Sequence, residues 1–219
     1  MQVKMERKRV FLIRRLLVYI IGLLIISSGS NLFVNAALGV APFSSIAYAL
    51  TFLLPLSFGV ATLIMNILHL ILECLLLKQF SISHVMQFIM AILYSSFLQM
   101  LKPITDHVVA DTFPHQIFVA GVACFLMAIG MTLMIVSNFV VLPAEGLVGA
   151  LAFIFRKDFG KIKTIADISV VIIAFLLAFT LSGKIVIGIG TLMSAFLTGS
   201  INHCFLSLCK DRLLRFMGE

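Results

Sequence analysis

Charge is what this sequence has least of. Asp, Glu, Lys and Arg make up 11% of its 219 residues, against about 25% in a soluble domain. Hydrophobic residues make up 62%, and the mean hydropathy is +1.18. So small a polar inventory excludes a soluble enzyme, a disordered chain and a nucleic-acid-binding module. No polar stretch is long enough to form a soluble domain beside a single anchor. Cysteine is also scarce. Cys74, Cys124, Cys204 and Cys209 form no CxxC pair and read as small apolar residues rather than a disulfide framework. The sequence has no GxxxxGK[ST] phosphate loop, no HExxH, no GxSxG and no Cys–His nucleophile pattern. The expectation is a protein that is not an enzyme and carries no cofactor.

Long apolar runs fill the space that charge leaves. They lack the short alternation of a transmembrane barrel and read as membrane helices. Six runs reach or approach the ~17–25 residues of a span: 16–34, 60–77, 85–101, 116–136, 164–182 and 185–208. The first is too long for a signal-peptide core and is read as a span. Two further runs, 44–56 and 145–155, follow Pro42 and Pro143. At ~1.5 Å per residue they cannot cross a ~30 Å core, so they read as half-helices that enter the membrane and return.

The net charge of +7 belongs to the ends of these runs. Arg7, Lys8, Arg9, Arg14 and Arg15 precede the first. Arg156, Lys157, Lys161 and Lys163 form a second cluster, and Lys210, Arg212 and Arg215 a third. Bases retained beside spans mark cytoplasmic loops, not nucleic-acid contact. Both termini are expected in the cytoplasm.

The order long, short, long, long occurs twice. A shift of 101 residues lays Gly29 on Gly130, Pro42 on Pro143, Phe58-Gly59 on Phe159-Gly160 and Asn66 on Asp167. At 99, Leu93, Ser95, Phe97 and Leu98 fall on Leu192, Ser194, Phe196 and Leu197. The fold expected is all-α: one polytopic transmembrane domain over 1–219, built from repeats at about 10–101 and 111–208. Three spans per repeat would set the second upside down to the first; four would make them parallel. Charge does not choose, since either arrangement leaves 14 of 16 bases inside. Segment length favours three plus three.

Ala37-Leu38-Gly39-Val40-Ala41-Pro42 after a first span resembles the bacterial YczE/YyaS/YitT group of integral membrane proteins. Pro143-Ala144-Glu145-Gly146, Asp167 in a later helix and Gly188-Ile189-Gly190-Thr191 at the last span are similar too. The likeness covers nearly the whole chain. Phe43-Ser44 departs from it, because the group's pattern implies a tryptophan and often an acid there. The resemblance implies a bacterial cytoplasmic membrane and an architecture rather than an activity.

Three acids fall within apolar segments, where burial costs roughly 2.5–3.5 kcal/mol on insertion scales: Glu73, Glu145 and Asp167. Glu145 stands at the start of a half-helix, where it either caps free N–H groups, as Ser44 would in the first repeat, or reaches a ligand at midplane. Asp167 either pairs with Lys163 four residues earlier or joins that site, with Asn66 its counterpart. Asn66, His69 and Glu73 share one helix face, as a helix contact or as a polar pathway with His69–Glu73 as a proton relay. Asp106, His107, Asp111 and His115 are read as a solvated loop, and no metal is expected. Gly188, Gly190, Gly199, Ser194 and Thr198 are read as a packing face.

A transporter or permease for a small solute or ion follows, with Pro42, Ser44, Asn66, His69, Pro143, Glu145 and Asp167 around its site. The alternatives are a substrate-binding subunit beside a separate partner, or a structural role. The lipid bilayer is the expected surrounding, with a homo-oligomer or partner subunit left open.

Overall fold

Proline and glycine set where the helices begin and end. A computed structural model describes residues 2–217, with side chains from Phe11 onward. The first helix, α1 (Gln2–Asn35), is followed by a loop and a 3-10 turn (Pro42–Ser44) that opens α2 (Ser45–Leu53). Pro42 stands at the first turn, where its missing N–H costs nothing. Leu54, ahead of Pro55, is extended and ends the helix. Next come α3 (Phe58–Leu77), α4 (Ile82–Thr105), α5 (Phe113–Ser137), α6 (Pro143–Phe155) and α7 (Phe159–Ser182). Ser57 caps α3 by accepting the Val60 N–H, and Asp158 caps α7 by accepting that of Lys161. The chain ends with α8 (Ile189–Met193), a π turn (Ser194–Thr198) and α9 (Gly199–Met217), which run on as one span.

Six helices among the described residues are long and apolar enough to cross a membrane, and no strand occurs among them. The protein is an all-helical, multi-pass integral membrane protein. Pro42–Leu53 and Pro143–Phe155 are too short to cross. Both short helices include their proline, where the sequence reading began them after it. The last span begins later than expected, at Ile189 rather than 185, and runs to Met217. Residues 184–188 are not helical: Val186 and Ile187 pack with Ala49 of α2 and with Ala174 and Ala178 of α7, and the glycines lie against the loop after α1. There the Gly190 N–H donates to the Leu38 carbonyl at 2.8 Å, and a Cβ on Gly188 would meet that oxygen at 2.5 Å.

The core is α1 held between α4 and α5. Gly22 and Gly130 bring α1 and α5 together backbone to backbone, since a Cβ on Gly130 would lie 2.6 Å from the Gly22 carbonyl. Further along, Gly29 faces Ala123 and Met127, so the two helices run antiparallel. Against α4 the contacts are polar. Ser30 bonds Tyr94 (3.0 Å), Asn31 donates to the Leu98 carbonyl (2.8 Å) and Asn35 to that of Thr105 (2.7 Å). The rising numbers on both sides make α1 and α4 parallel. Thr132 donates to Asn202 at 2.8 Å, linking α5 to α9. Arg14 donates to the Phe216 carbonyl at 3.0 Å, so the start of the first span and the end of the last lie on one face.

The short helices cross between the halves. α2 packs on α7, and α6 packs on α3. The segment expected as a packing face divides: Gly188 and Gly190 pack on Leu38, whereas a Cβ at Gly199 would meet open space. Of the cysteines, Cys124 is buried, Cys204 is exposed, and Cys74 and Cys209 are intermediate. The expected burial therefore holds for Cys124 but not Cys204.

Candidate functional site

The starts of α2 and α6 meet at a cavity of about 200 Å³. Pro42, Phe43 and Ser44 line it from the 3-10 turn that opens α2, and the N-cap Leu142 with Ala144 and Glu145 from the start of α6. Asn66 and His69 come from α3, Lys163 and Asp167 from α7, and Tyr94 from α4. Ser194, Thr198 and Gly199 close it from the last span. Each half of the chain supplies a helix start and a polar pair from the next long helix.

Six of the seven expected substrate-binding residues line this one space: Pro42, Ser44, Asn66, His69, Glu145 and Asp167. Pro143 does not. It is buried as the first residue of α6, and its neighbours reach the wall. Ser44 makes no cap bond to α2, and Leu142, the N-cap of α6, supplies none. The Glu145 carboxyl takes a hydrogen bond from its own backbone N–H in the first turn of α6. The positive dipole ends of both short helices lie at the cavity wall.

Charge in the cavity is uneven. Lys163 Nζ donates to Asp167 Oδ1 at 3.2 Å and stands 4.6 Å from the centre of the Phe43 ring. Asp167 thus has the i,i+4 partner and also lines the site. Glu145 feels the attraction of Lys163 and the repulsion of Asp167, and its Oε2 is buried with no hydrogen-bond partner. His69 is 6% exposed and its Nδ1 has no partner either, while its ring meets Phe43 edge-on at 5.7 Å. Groups left unbonded inside a site are the groups a ligand can satisfy. With all three ionised, Glu145, Asp167 and Lys163 sum to one negative charge.

Glu73 lies elsewhere. Its Oε1 accepts from Gln87 Nε2 at 3.3 Å and sits 3.6 Å from His84 Nε2, both on α4. The Ser81 N–H donates to His84 Nδ1 at 2.9 Å, which directs Nε2 to the carboxylate. A Cβ on Gly146 would collide with that carboxylate, so glycine is required where α6 crosses it. The structure thus gives Glu73 partners on α4 rather than a bond to His69.

Phe43, Lys163, Tyr94, Ser194 and Thr198 are site residues that the sequence reading did not place there. Lys163 was assigned to the basic loop and Ser194 and Thr198 to packing. The signal for Lys163 was its spacing of four from Asp167. Among the described residues no cluster of three metal-binding side chains occurs, and Asp106 pairs with Lys102 in the loop after α4.

The model of a family of unknown function, DUF6198, matches residues 13–207. An uncharacterized protein, YyaS, from Bacillus subtilis (strain 168) is 24% identical over 198 residues, covering 90% of this chain and 94% of that one. No solved structure matches.

Proposed function

The chain belongs to DUF6198, a family of unknown function, and we propose that it is a small-solute transporter of the bacterial cytoplasmic membrane with its site where α2 and α6 begin. One observation carries this reading: two short helices, one from each half, start at a single cavity that holds unbonded polar atoms. Broken helices at midplane expose backbone dipoles to a solute, and a site between repeats can open to either side.

The two halves are taken as inverted repeats of three spans. What supports this is direction: α4 runs with α1, and α5 runs against it. Both termini are assigned to the cytoplasm, beside the basic clusters. Rocking of the halves about the α1–α5 crossing would carry α6 with α3 and α2 with α7. Two helix N-termini attract anions, and the Glu145 carboxylate in the first turn of α6 offsets that pull and favours a cation or proton-donating solute. The proposed proton relay is His69 and Glu73, one turn apart on α3 with no bond between them in this structure, and His84 beside Glu73. No covalent step or cofactor enters.

The site fits a substrate-binding subunit equally well. Only 11% of the α7 window and of the last-span window is buried, against 56% for α1, which leaves surface for lipid, a second copy or a partner. Uptake into proteoliposomes separates the readings. Counterflow of a labelled organic cation that needs Glu145 supports transport by the chain alone. Binding without counterflow supports the subunit.

A further inference from the structure

Beside the polar cavity lies a second one of about 280 Å³, between α6 and α7. Its wall is apolar, with Leu147, Val148 and Leu151 on α6 and Ile162, Ala166 and Val170 on α7. Phe155 and Ile165 stand at its rim, 62% and 61% exposed on helices apolar enough for the bilayer. Two residues border both cavities: Phe43 and His69. Their rings meet edge-on at 5.7 Å where the two cavities adjoin.

Resting on the proposed site, we propose that the solute is an amphipathic organic cation. Its charged head binds at Glu145, and its apolar arm lies between α6 and α7. The head is set by the unbonded Glu145 oxygen, which accepts a hydrogen bond from an ammonium group. In this structure Lys163 donates to Asp167 and leaves Glu145 Oε2 unbonded. The arm is set by continuity. An apolar chamber that opens toward lipid and shares its inner wall with a charged one fits a molecule with both characters. Neither chamber alone would select it.

The test uses the whole protein in zwitterionic-lipid nanodiscs, titrated calorimetrically with ethyl-, butyl-, hexyl- and octylammonium, with empty nanodiscs subtracted. Affinity is expected to rise about fourfold per methylene until the chamber is full. Ala166→Phe fills the chamber from α7. Ser169→Phe, at an exposed position on the same wall, does so with less risk to folding. Both should flatten the dependence on chain length and leave ethylammonium binding unchanged. Glu145→Gln should weaken every amine at least tenfold. If amines bind through Glu145 with no dependence on length, the site stands and the amphipathic solute is overturned. A slope unchanged in both filled variants places the arm elsewhere and overturns the proposal as well. No Glu145-dependent binding of any amine overturns the cation site itself.

Discussion

At the residue scale, Glu145 and Glu73 each keep one buried carboxylate oxygen without a hydrogen-bond partner, but in different surroundings. Glu145 lines the cavity, whereas the other oxygen of Glu73 accepts from Gln87 and stands beside His84. Their substitutions should therefore act differently. Glu73→Ala leaves the buried Gln87 amide without its acceptor, a loss of about 1–3 kcal/mol that denaturant unfolding would register. Gly146→Ala forces a methyl against the Glu73 carboxylate and should cost about as much, by overpacking. The double variant should be more stable than the sum of the two losses predicts, because removing the carboxylate makes room for the methyl. Strict additivity in that cycle would show that the two residues do not touch. Sequence spacing put Glu73 and His69 on one face correctly. It could not show that Glu73 turns to α4, because that depends on which helix packs there.

At the element scale, the prolines made the short helices legible. Pro42 and Pro143, 101 residues apart, mark both breaks, and the helices begin at those prolines. The polar rungs of α1 were not legible. Ser30, Asn31 and Asn35 sit in an apolar run and show their purpose only once α4 lies beside them. The start of the last span is not legible, because the apolar run continues through 185–188 while the chain there is non-helical and packs on α2, α7 and Leu38. The α1–α5 crossing yields the prediction at this scale. Gly130→Ala places a methyl 2.6 Å from a backbone oxygen that cannot turn away. About 1–3 kcal/mol of stability should be lost. Gly121→Ala, where a Cβ meets nothing within 4 Å, should lose none. Equal melting temperatures for the two variants would refute the close crossing.

At the scale of the molecule, six long apolar helices among the described residues make it an integral membrane protein, and the family match covers most of that architecture. The order of long and short segments could be read along the chain; the exchange of short helices between halves could not, because contacts across 101 residues leave no local periodicity. Opposed directions of α1 and α5 require that the loop after α4 lie on the face opposite to both termini. Asp106→Cys, in a background with the four native cysteines replaced by serine, should react with an impermeant maleimide added outside intact cells. Protection from outside, with labelling only in inverted vesicles, would reverse the orientation.

A solute held at the two helix starts must raise the melting temperature, and must do so through Glu145 and Asp167. The purified protein would be screened against organic and inorganic cations and neutral polar metabolites, with every hit repeated on Glu145→Gln and Asp167→Asn. Binding to the folded state alone stabilises it by mass action, about 2.7 kcal/mol at a hundred times Kd. A compound that raises the melting temperature of the wild type and of neither variant is the result predicted. A compound that raises all three equally would contradict the site.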